Sequence, residues 1–452
     1  MPEQARAVRS FDRPPQSLDA LSVPAASRGA RPAGWDLLLG CVAVYIATTV
    51  GRVHQLFPVL LPLKPAFVAA LLAVGLYLLQ QSGQRRVQRL PSRTTLYLLG
   101  LLLCAILSIP AALNQGVAFY SMRDFAKTVL MYFVIAGSVR SLRDVERLTL
   151  VYFGVTVVYT AVVLSRFQLG ADSWRLDRLY YYDGNDLATL IASAMPLGLY
   201  FVLSHRRTLV RVLAFVGLVV LAVGQIRSGS RGGFLASLAV VAFVLLRFTA
   251  VPARARLAGL LVILIVIFAA SSEKYWTQMQ TIVHSSEDYN TTSDAGRMKT
   301  WERGLGYMAS HPVLGVGAGN FAVAEGTISP LARLQERGIR VRWGAAHNSF
   351  LQVGAELGIP GLLLFIGLIA TAFTSLRRVA RRPLAASPPA GDVSRLAQSL
   401  MAALVGWVVG AFFLSLAYTD MLYTLVALVV GLAKIAGGNE TRSGQRPRPS
   451  WI

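Results

Sequence analysis

Long apolar stretches, separated by short polar segments, follow one another along most of the chain. Many of these stretches are close to the ~20 residues that a helix needs to cross the hydrocarbon core of a bilayer. Strict alternation of apolar and polar residues, which would mark the strands of a barrel, is not visible in them. The pattern predicts an all-α polytopic membrane protein with about twelve transmembrane helices, at residues 35–51, 57–80, 95–113, 124–138, 148–165, 186–203, 209–226, 232–250, 257–271, 349–374, 397–415 and 418–436.

A long polar interval, residues 272–348, separates nine predicted helices within residues 35–271 from three within residues 349–436. An interval of this length exceeds what a connection requires, and such loops are usually either functional or disordered. Its tryptophans and interleaved apolar residues favour a packed loop. The chain ends, residues 1–34 and 437–452, are polar, and the Arg-, Pro-, Ala- and Ser-rich first segment predicts a disordered tail.

Basic residues are distributed unevenly among the polar segments. The net charge of +22 raises the question of a nucleic-acid partner, but the basic residues lie in short clusters between apolar stretches and form no continuous patch. We therefore expect no nucleic-acid partner. A majority of the 44 Lys and Arg residues fall in the two tails and in alternate loops, as is typical of segments on the cytoplasmic side. This distribution predicts that both termini are cytoplasmic and that residues 272–348 lie on the outer side.

Composition and motifs exclude several classes of function. With 54% hydrophobic and 15% charged residues, the chain departs from the roughly 25% charge of soluble domains. Cys41 and Cys104 both fall inside predicted helices, which leaves no disulfide framework and no cysteine metal site. P-loop, HExxH and GxSxG motifs are absent, and no acidic pattern requires an ion, so we expect no metal and no other cofactor. The segment DGND, residues 183–186, is compatible with a cation site or with an Asx turn that opens the sixth predicted helix.

Arginine also occurs on the predicted outer side, where basic residues are disfavoured. In IRSGSRGGF, Arg227 and Arg231 lie four residues apart among Gly and Ser residues, whose small size lets the backbone approach a ligand. A helix that starts near Gly232 would add its positive end, which favours an anion. The alternative is a tight turn between two helices with interfacial arginines.

A second arginine segment, GRMKTWERG at residues 296–304, lies within the long polar interval. Arg297 and Trp301 are four residues apart and share one face of a short amphipathic helix, which also carries Arg303. An aromatic ring beside a cation suits a sugar or a cation–π contact. The alternative is that Trp301 packs into the core of the outer loop.

The segment AAHNSFLQV, residues 345–353, places His347 at the entrance to the tenth predicted helix. Ser349 and Gln352 form a capping-box pattern, which predicts Ser349 as the N-cap. His347 would then lie near the positive end of the helix, where a neutral imidazole is favoured. A neutral histidine can accept a proton from an attacking hydroxyl group, which is the role of a general base. The alternative is an interfacial histidine that serves packing or solvation.

The order of these motifs resembles that of the O-antigen ligase and O-antigen polymerase superfamily. The shared motifs are SRGG at an outer helix junction, a long external loop with a GR…W segment, a GxGxGNF turn, and HNSFLQVGAELGIPG leading into a helix. The stretch YDGNDLATLIASAMP is also similar to the segment before one of the family's middle helices. By motif, the resemblance covers about residues 180–365.

The resemblance implies a GT-C-like helix bundle with one large periplasmic loop, in the bacterial inner (cytoplasmic) membrane. It implies a metal-independent inverting glycosyltransferase that uses an undecaprenyl-diphosphate-linked glycan as donor. His347 would correspond to the family's essential histidine, and Arg231 and Arg297 to its diphosphate-binding arginines, with Arg227 beside a matched position. Candidate substrate contacts next to these motifs are Arg303, Trp301 and Asn348.

Three activities fit these motifs to different degrees. An O-antigen ligase passes the glycan to a lipid A-core acceptor, whereas a polymerase passes it to another lipid-linked repeat, and the motifs do not separate the two. A transporter for the same lipid-linked substrates would need charged residues along a path through the membrane, but strong charges lie mainly at helix ends here. We therefore expect a ligase, with a polymerase as the main alternative and a transporter as a weaker one.

Overall fold

The computed structural model of the protein describes residues 34–79, 92–166, 174–176, 181–249, 251–284, 293, 296–340, 343–381 and 390–443. Throughout these residues the regular secondary structure is helical, and no β-strand occurs in them. The predicted N-terminal tail lies outside the described residues up to residue 33, and so do residues 444–452 of the predicted C-terminal tail. The disorder of the first tail therefore stays a prediction.

Each predicted transmembrane segment before residue 272 coincides with one α-helix, and one short helix, α2, lies between the first two segments. Ser92, Asn114 and Ser230 start α4, α5 and α9 by accepting a hydrogen bond from a backbone N–H three residues ahead. The helices of this part are α1 (Leu37–Thr49), α2 (Val53–Leu56), α3 (Pro65–Leu79), α4 (Arg93–Leu107), α5 (Gln115–Ser138), α6 (Leu142–Arg166), α7 (Gly184–Ser204), α8 (Thr208–Ser228), α9 (Arg231–Arg247) and α10 (Ala253–Ala270).

The polar interval 272–348 contains short helices, and three longer ones follow it. The helices are α11 (Glu273–Gln280), α12 (Arg297–Ser310), α13 (Phe321–Thr327), α14 (Ala332–Glu336), α15 (Ser349–Arg381), α16 (Ala390–Ala411) and α17 (Asp420–Ser443). Buried residues of the interval form a small core that also includes one residue of α15; its members are Tyr307, Val316, Phe321, Ala324, Ala346 and Ala355. The interval is thus anchored on the first turns of α15.

Seven helices within the described residues are long and apolar enough to cross a membrane, namely α6, α7, α8, α10, α15, α16 and α17. The helices α1, α3 and α4 are shorter apolar helices of 13, 15 and 15 residues. The two remaining predicted positions are occupied by α5 and α9. This architecture is that of a polytopic membrane protein, and the number of about twelve crossings stays a prediction.

Close helix packing forms the centre of the bundle. The helix α7 packs against α8, α9 and α16, while α15 packs against α4 and α16, and α17 against α5. A Cβ atom on Gly406 of α16 would lie only 2.8 Å from the backbone oxygen of Ala192 in α7, so glycine permits this close approach. In contrast, α10 contacts α8 and α9 without burying any residue, as suits a helix that faces lipid.

The helix α15 is broken at Gly358, where the sequence predicts one continuous transmembrane helix. Gly358 has φ 72° and ψ −175°, a conformation that glycine adopts readily, and Pro360 follows. The backbone N–H of Ile359 donates to the carbonyl oxygen of Pro312 at 2.8 Å instead of to its own helix. The break separates a short segment, residues 349–357, from a longer apolar segment, residues 359–381. The short segment binds the loop of residues 272–348, which is called the outer loop after its predicted location.

Candidate functional site

The glycine-rich turn of the outer loop wraps around the end of the 349–357 segment. The backbone N–H groups of Val316 and Gly317 donate to the carbonyl oxygens of Ala355 and Glu356, at 2.8 and 3.0 Å. Gly315 has φ 66°, and a Cβ atom there would lie 2.3 Å from the backbone of Glu356. The GxGxGN sequence is therefore a turn that docks on α15, and close backbone contact requires glycine at Gly315.

The Glu356 carboxylate holds the same turn from inside. Glu356 is 1% exposed, and its two oxygens accept the backbone N–H groups of Gly319 and Phe321 at 2.9 and 3.3 Å. The Asn320 side chain extends the attachment to the start of α5, because its oxygen accepts the Asn114 N–H and its amide donates to the Asn114 carbonyl. Such bonds supply partners to buried polar groups, whose burial without a hydrogen bond would cost free energy of folding.

His347 lies half-buried in a left-handed backbone conformation, with φ 48°. The backbone N–H of His347 donates to the Ser415 hydroxyl oxygen at 2.9 Å. The preceding carbonyl oxygen, of Ala346, accepts the indole N–H of Trp301 at 3.1 Å. A left-handed residue other than glycine costs roughly 1–2 kcal/mol and persists where surrounding contacts fix it. These contacts fix the backbone from which the imidazole projects.

The N-cap of α15 is Asn348, so the prediction of a capping box at Ser349 is wrong. The Asn348 side-chain oxygen accepts the backbone N–H groups of Phe350 and Leu351 at 2.9 and 3.1 Å. Ser349 is fully buried and donates its hydroxyl to the Leu414 carbonyl oxygen at 2.7 Å. The Ser349 hydroxyl is therefore bonded to the chain between α16 and α17, and the preceding residue, Asn348, caps the helix.

Three predicted motifs meet at one segment, residues 412–415, just after α16. A Cβ atom on Gly232, in the first turn of α9, would lie 3.1 Å from the Cβ atom of Phe413. The Trp301 ring of α12 lies 5.5 Å from the Phe412 ring and 6.5 Å from the Phe413 ring, centroid to centroid. The last residue of the segment is Ser415, whose hydroxyl oxygen accepts the backbone N–H of His347. The SRGG, GR…W and HNS motifs are thus brought together around it.

The predicted anion-binding arginines lie at helix ends and are half-buried. Arg231 is the first residue of α9, and its guanidinium donates to the Thr281 hydroxyl at 2.7 Å. Arg297 is the first residue of α12, one turn before the tryptophan that contacts residues 412–413. Arg227 lies in the last turn of α8. Two of the three therefore stand at helix N-termini, where backbone N–H groups and the helix dipole also favour an anion.

The candidate substrate contacts have structural partners. Trp301 packs on the segment after α16, outside the loop's own core, and Asn348 caps α15. Arg303 donates to both oxygens of Glu325, at 2.8 and 3.1 Å from Nε, and the Tyr307 hydroxyl donates to the same carboxylate at 2.7 Å. The hydrogen bonds to Glu325 raise the pKa of the Arg303 guanidinium, and burial followed by the Glu325 contact raises that of Tyr307. Arg303 thus serves the fold of the outer loop.

The DGND segment opens α7 as an Asx turn. The Asp183 carboxylate accepts the backbone N–H groups of Asn185 and Asp186, both at 2.7 Å, and the Asp186 carboxylate accepts the Asp183 N–H at 3.4 Å. This reciprocal pair is a capping box. In the part of the chain that the structure describes, no group of three or more His, Cys, Asp or Glu side chains is placed to hold a metal ion.

Sequence reasoning missed the groups that organise the site. Two of these residues could have been found from the sequence. Glu356 is an acidic residue within a long apolar run, and Asn320 is the polar end of a glycine-rich turn. Ser415 had no such signal, because its partner lies 68 residues away in the chain. Its role depends on tertiary contact alone.

The Ser415 hydroxyl is expected to matter for turnover. Ser415→Ala should lower the kcat of the reaction that uses His347 roughly three- to tenfold, since a single hydrogen bond contributes ~0.5–1.5 kcal/mol. Ser415→Thr keeps the hydroxyl group and serves as the matched control. Steady-state kinetics of the purified variants test this, and equal kcat for all three proteins would remove Ser415 from the site.

The region of the chain that is similar to a known protein family contains the SRGG, GR…W and HNS motifs. Residues 216–366, a third of the chain, match the model of the O-antigen ligase family. The matched region runs from the middle of α8 into α15 and contains every candidate catalytic, diphosphate-binding and substrate-contact residue, whereas DGND at residues 183–186 lies before it. No curated protein matches the chain. Residues 216–366 are thus similar to the O-antigen ligase domain, and this similarity supports a place for the chain in the O-antigen ligase and polymerase superfamily.

Proposed function

We propose that the protein transfers a glycan from undecaprenyl diphosphate to an acceptor sugar, with inversion, at the periplasmic face of the bacterial inner membrane. The observation that carries the proposal is the meeting of α9, α12 and the His347 segment at residues 412–415. Membership of the family supports a glycan substrate and a membrane setting. The half-buried arginines at the starts of α9 and α12 suit a diphosphate.

The reaction needs two things from the protein. The acceptor hydroxyl oxygen attacks the anomeric carbon, the bond from that carbon to the diphosphate oxygen breaks, and undecaprenyl diphosphate leaves with the electron pair. Arg231 and Arg297 would stabilise the charge that develops on the leaving group, which is the largest contribution in many enzymes. His347 would accept the proton of the attacking hydroxyl group. Because arginines supply the positive charge, the mechanism requires no metal ion.

Removal of either arginine is expected to weaken donor binding. A hydrogen bond to a charged group contributes ~1.5–3 kcal/mol, so Arg231→Ala and Arg297→Ala should each raise the Kd for the donor by roughly 10- to 150-fold. Arg254→Ala, at an exposed position at the other end of the bundle, is the matched control and should bind like the wild type. Binding of a purified undecaprenyl-diphosphate glycan to protein in nanodiscs measures this. Unchanged donor affinity in both variants would remove these arginines from the diphosphate site.

The membrane orientation belongs to the same proposal. The distribution of Lys and Arg supports about twelve crossings, cytoplasmic termini and a periplasmic location for residues 272–348. This orientation puts His347 and both arginines at the periplasmic face, where the proposed transfer takes place. Labelling of single cysteines introduced at exposed Arg337 and exposed Arg254 with an impermeant reagent tests it, because only the first should react in intact cells whose outer membrane is made permeable.

Of the two activities, we favour the ligase, with lipid A-core as the acceptor, over the polymerase. Deletion of the gene distinguishes them. Long glycan chains that accumulate on undecaprenyl diphosphate indicate a ligase, whereas single repeats indicate a polymerase. A transporter is the less favoured alternative, and cleavage of the donor by purified protein without ATP would exclude transport as its sole activity.

A further inference from the structure

An exposed tryptophan in the outer loop is held in a fixed orientation. The Trp343 indole lies against the backbone of Gly326, where an added Cβ atom would fall 2.0 Å from the ring. Its N–H donates to the Gln335 side-chain oxygen at 3.1 Å, and the Gln335 amide donates to the Gly326 carbonyl at 2.8 Å. Trp343 nevertheless stays 49% exposed. One ring face is packed and the N–H is engaged, so the exposed area is a flat, oriented aromatic surface.

Exposed arginines lie on the same part of the loop. Arg333 belongs to α14, and Arg337 and Arg340 lie in the turn after it, where Gly338 has φ 79°. All three side chains are exposed. They stand on the predicted outer side of the membrane, where basic residues are disfavoured. Arginine pairs with carboxylate or phosphate through its planar, forked donors.

The position of this surface relates it to His347. Trp343 and His347 are four positions apart, which limits the distance between their Cα atoms to about 14 Å, even in a fully extended chain. Gly326, on which the ring lies, directly follows Glu325, the partner of Arg303 in the loop's buried ion pair. The aromatic surface is therefore built on the packed part of the loop and lies near the histidine.

We propose that Trp343, with Arg333, Arg337 and Arg340, forms a binding subsite for an acidic glycan. The indole face would stack on the C–H face of a sugar ring, and the arginines would pair with carboxylate or phosphate groups of neighbouring sugars. The subsite rests on the proposed transfer of a glycan and adds to it the class of sugar that is held beside the reaction centre. A tryptophan that inserts into lipid would need a free apolar wedge, whereas this ring presents one oriented face.

Binding of a defined acidic oligosaccharide tests the subsite. His347→Ala protein in zwitterionic nanodiscs is titrated calorimetrically with an oligogalacturonate, and with a neutral maltooligosaccharide of equal length. We expect the acidic chain to bind at least tenfold more tightly than the neutral one. A further Trp343→Ala substitution should weaken it about tenfold, and Trp343→Phe two- to threefold. Arg333→Glu with Arg337→Glu should remove the preference for the acidic chain, whereas Arg254→Glu should not.

The outcomes separate the subsite from the transfer reaction. Equal binding by the Trp343→Ala variant, or equal affinity for acidic and neutral chains, overturns the subsite even if the wild type transfers glycans. Absence of oligosaccharide binding in both zwitterionic and anionic nanodiscs also overturns the subsite. Binding that depends on Trp343, together with a wild-type protein that shows no transfer activity, supports the subsite and contradicts the proposed function. Equal melting temperatures of the Trp343→Phe and wild-type proteins exclude misfolding as the cause.

Discussion

His347→Ala is expected to lower glycan transfer by ~10²- to 10⁴-fold, the usual contribution of a positioned general base. Donor affinity should stay within about twofold of the wild type, because the imidazole acts on the acceptor hydroxyl and not on the diphosphate. The loss should therefore appear in kcat. Transfer rates and donor binding, measured on the same purified preparations, check both parts of this expectation.

His311→Ala is the matched control for this substitution. His311 also lies in the outer loop, where its ring Nδ1 forms a hydrogen bond with the hydroxyl group of its neighbour Ser310 at 2.9 Å. The control should transfer at the wild-type rate. Full activity of His347→Ala would contradict the general-base role, and a parallel loss in both variants would indicate a general disturbance of the loop. A large fall in acceptor affinity with an unchanged kcat would assign His347 to acceptor positioning.

Disruption of the Arg303–Glu325 pair is expected to destabilise the outer loop strongly. The side chains are only 11% and 2% exposed, so removal of one partner leaves a buried charge without compensation. Such removal costs ~3–5 kcal/mol. Arg303→Ala and Glu325→Ala should each lower the melting temperature in detergent and make the loop open to protease at lower temperature.

The pair Lys299–Glu302 provides the control, because it lies on the same helix with side chains 53% and 70% exposed. An exposed pair contributes about 0–1 kcal/mol, so Lys299→Ala should leave protease resistance nearly unchanged. The double variant Arg303→Met with Glu325→Leu should recover part of the stability, since apolar residues can replace a buried pair. A stable Arg303→Ala protein with weakened acceptor binding would instead favour the substrate contact predicted from the sequence.

Local patterns in the sequence predicted the helices well. A helix stands at each of the twelve predicted positions, because long apolar runs with few charges specify helices in a membrane protein. The Asx turn at Asp183 was one of two interpretations of DGND, and the hydrogen bonds favour it. The SRGG and GR…W segments were also found from the sequence, because arginine on the predicted outer side of a membrane is a local signal, and the HNS segment was found by its histidine.

Features that depend on distant contacts were not predictable in this way. The helix α15 breaks at Gly358 because Pro312, 47 positions before Ile359, supplies the competing partner for the Ile359 N–H. Ser349 loses the predicted capping role because the chain at Leu414 takes its hydroxyl. Arg303 is a candidate substrate contact in the sequence, but in the structure it donates hydrogen bonds to Glu325. In each case a non-local hydrogen bond replaces the local one that the sequence pattern favours.

Reconstituted transfer tests the central proposal most directly. Purified protein in vesicles receives an undecaprenyl-diphosphate glycan and a lipid A-core acceptor, without ATP and with EDTA present. We expect the wild type to release one undecaprenyl diphosphate for each acceptor that gains a glycan, and His347→Ala to release almost none. A wild-type protein that leaves the donor intact, or moves it across the bilayer without cleavage, would contradict glycan transfer by this chain.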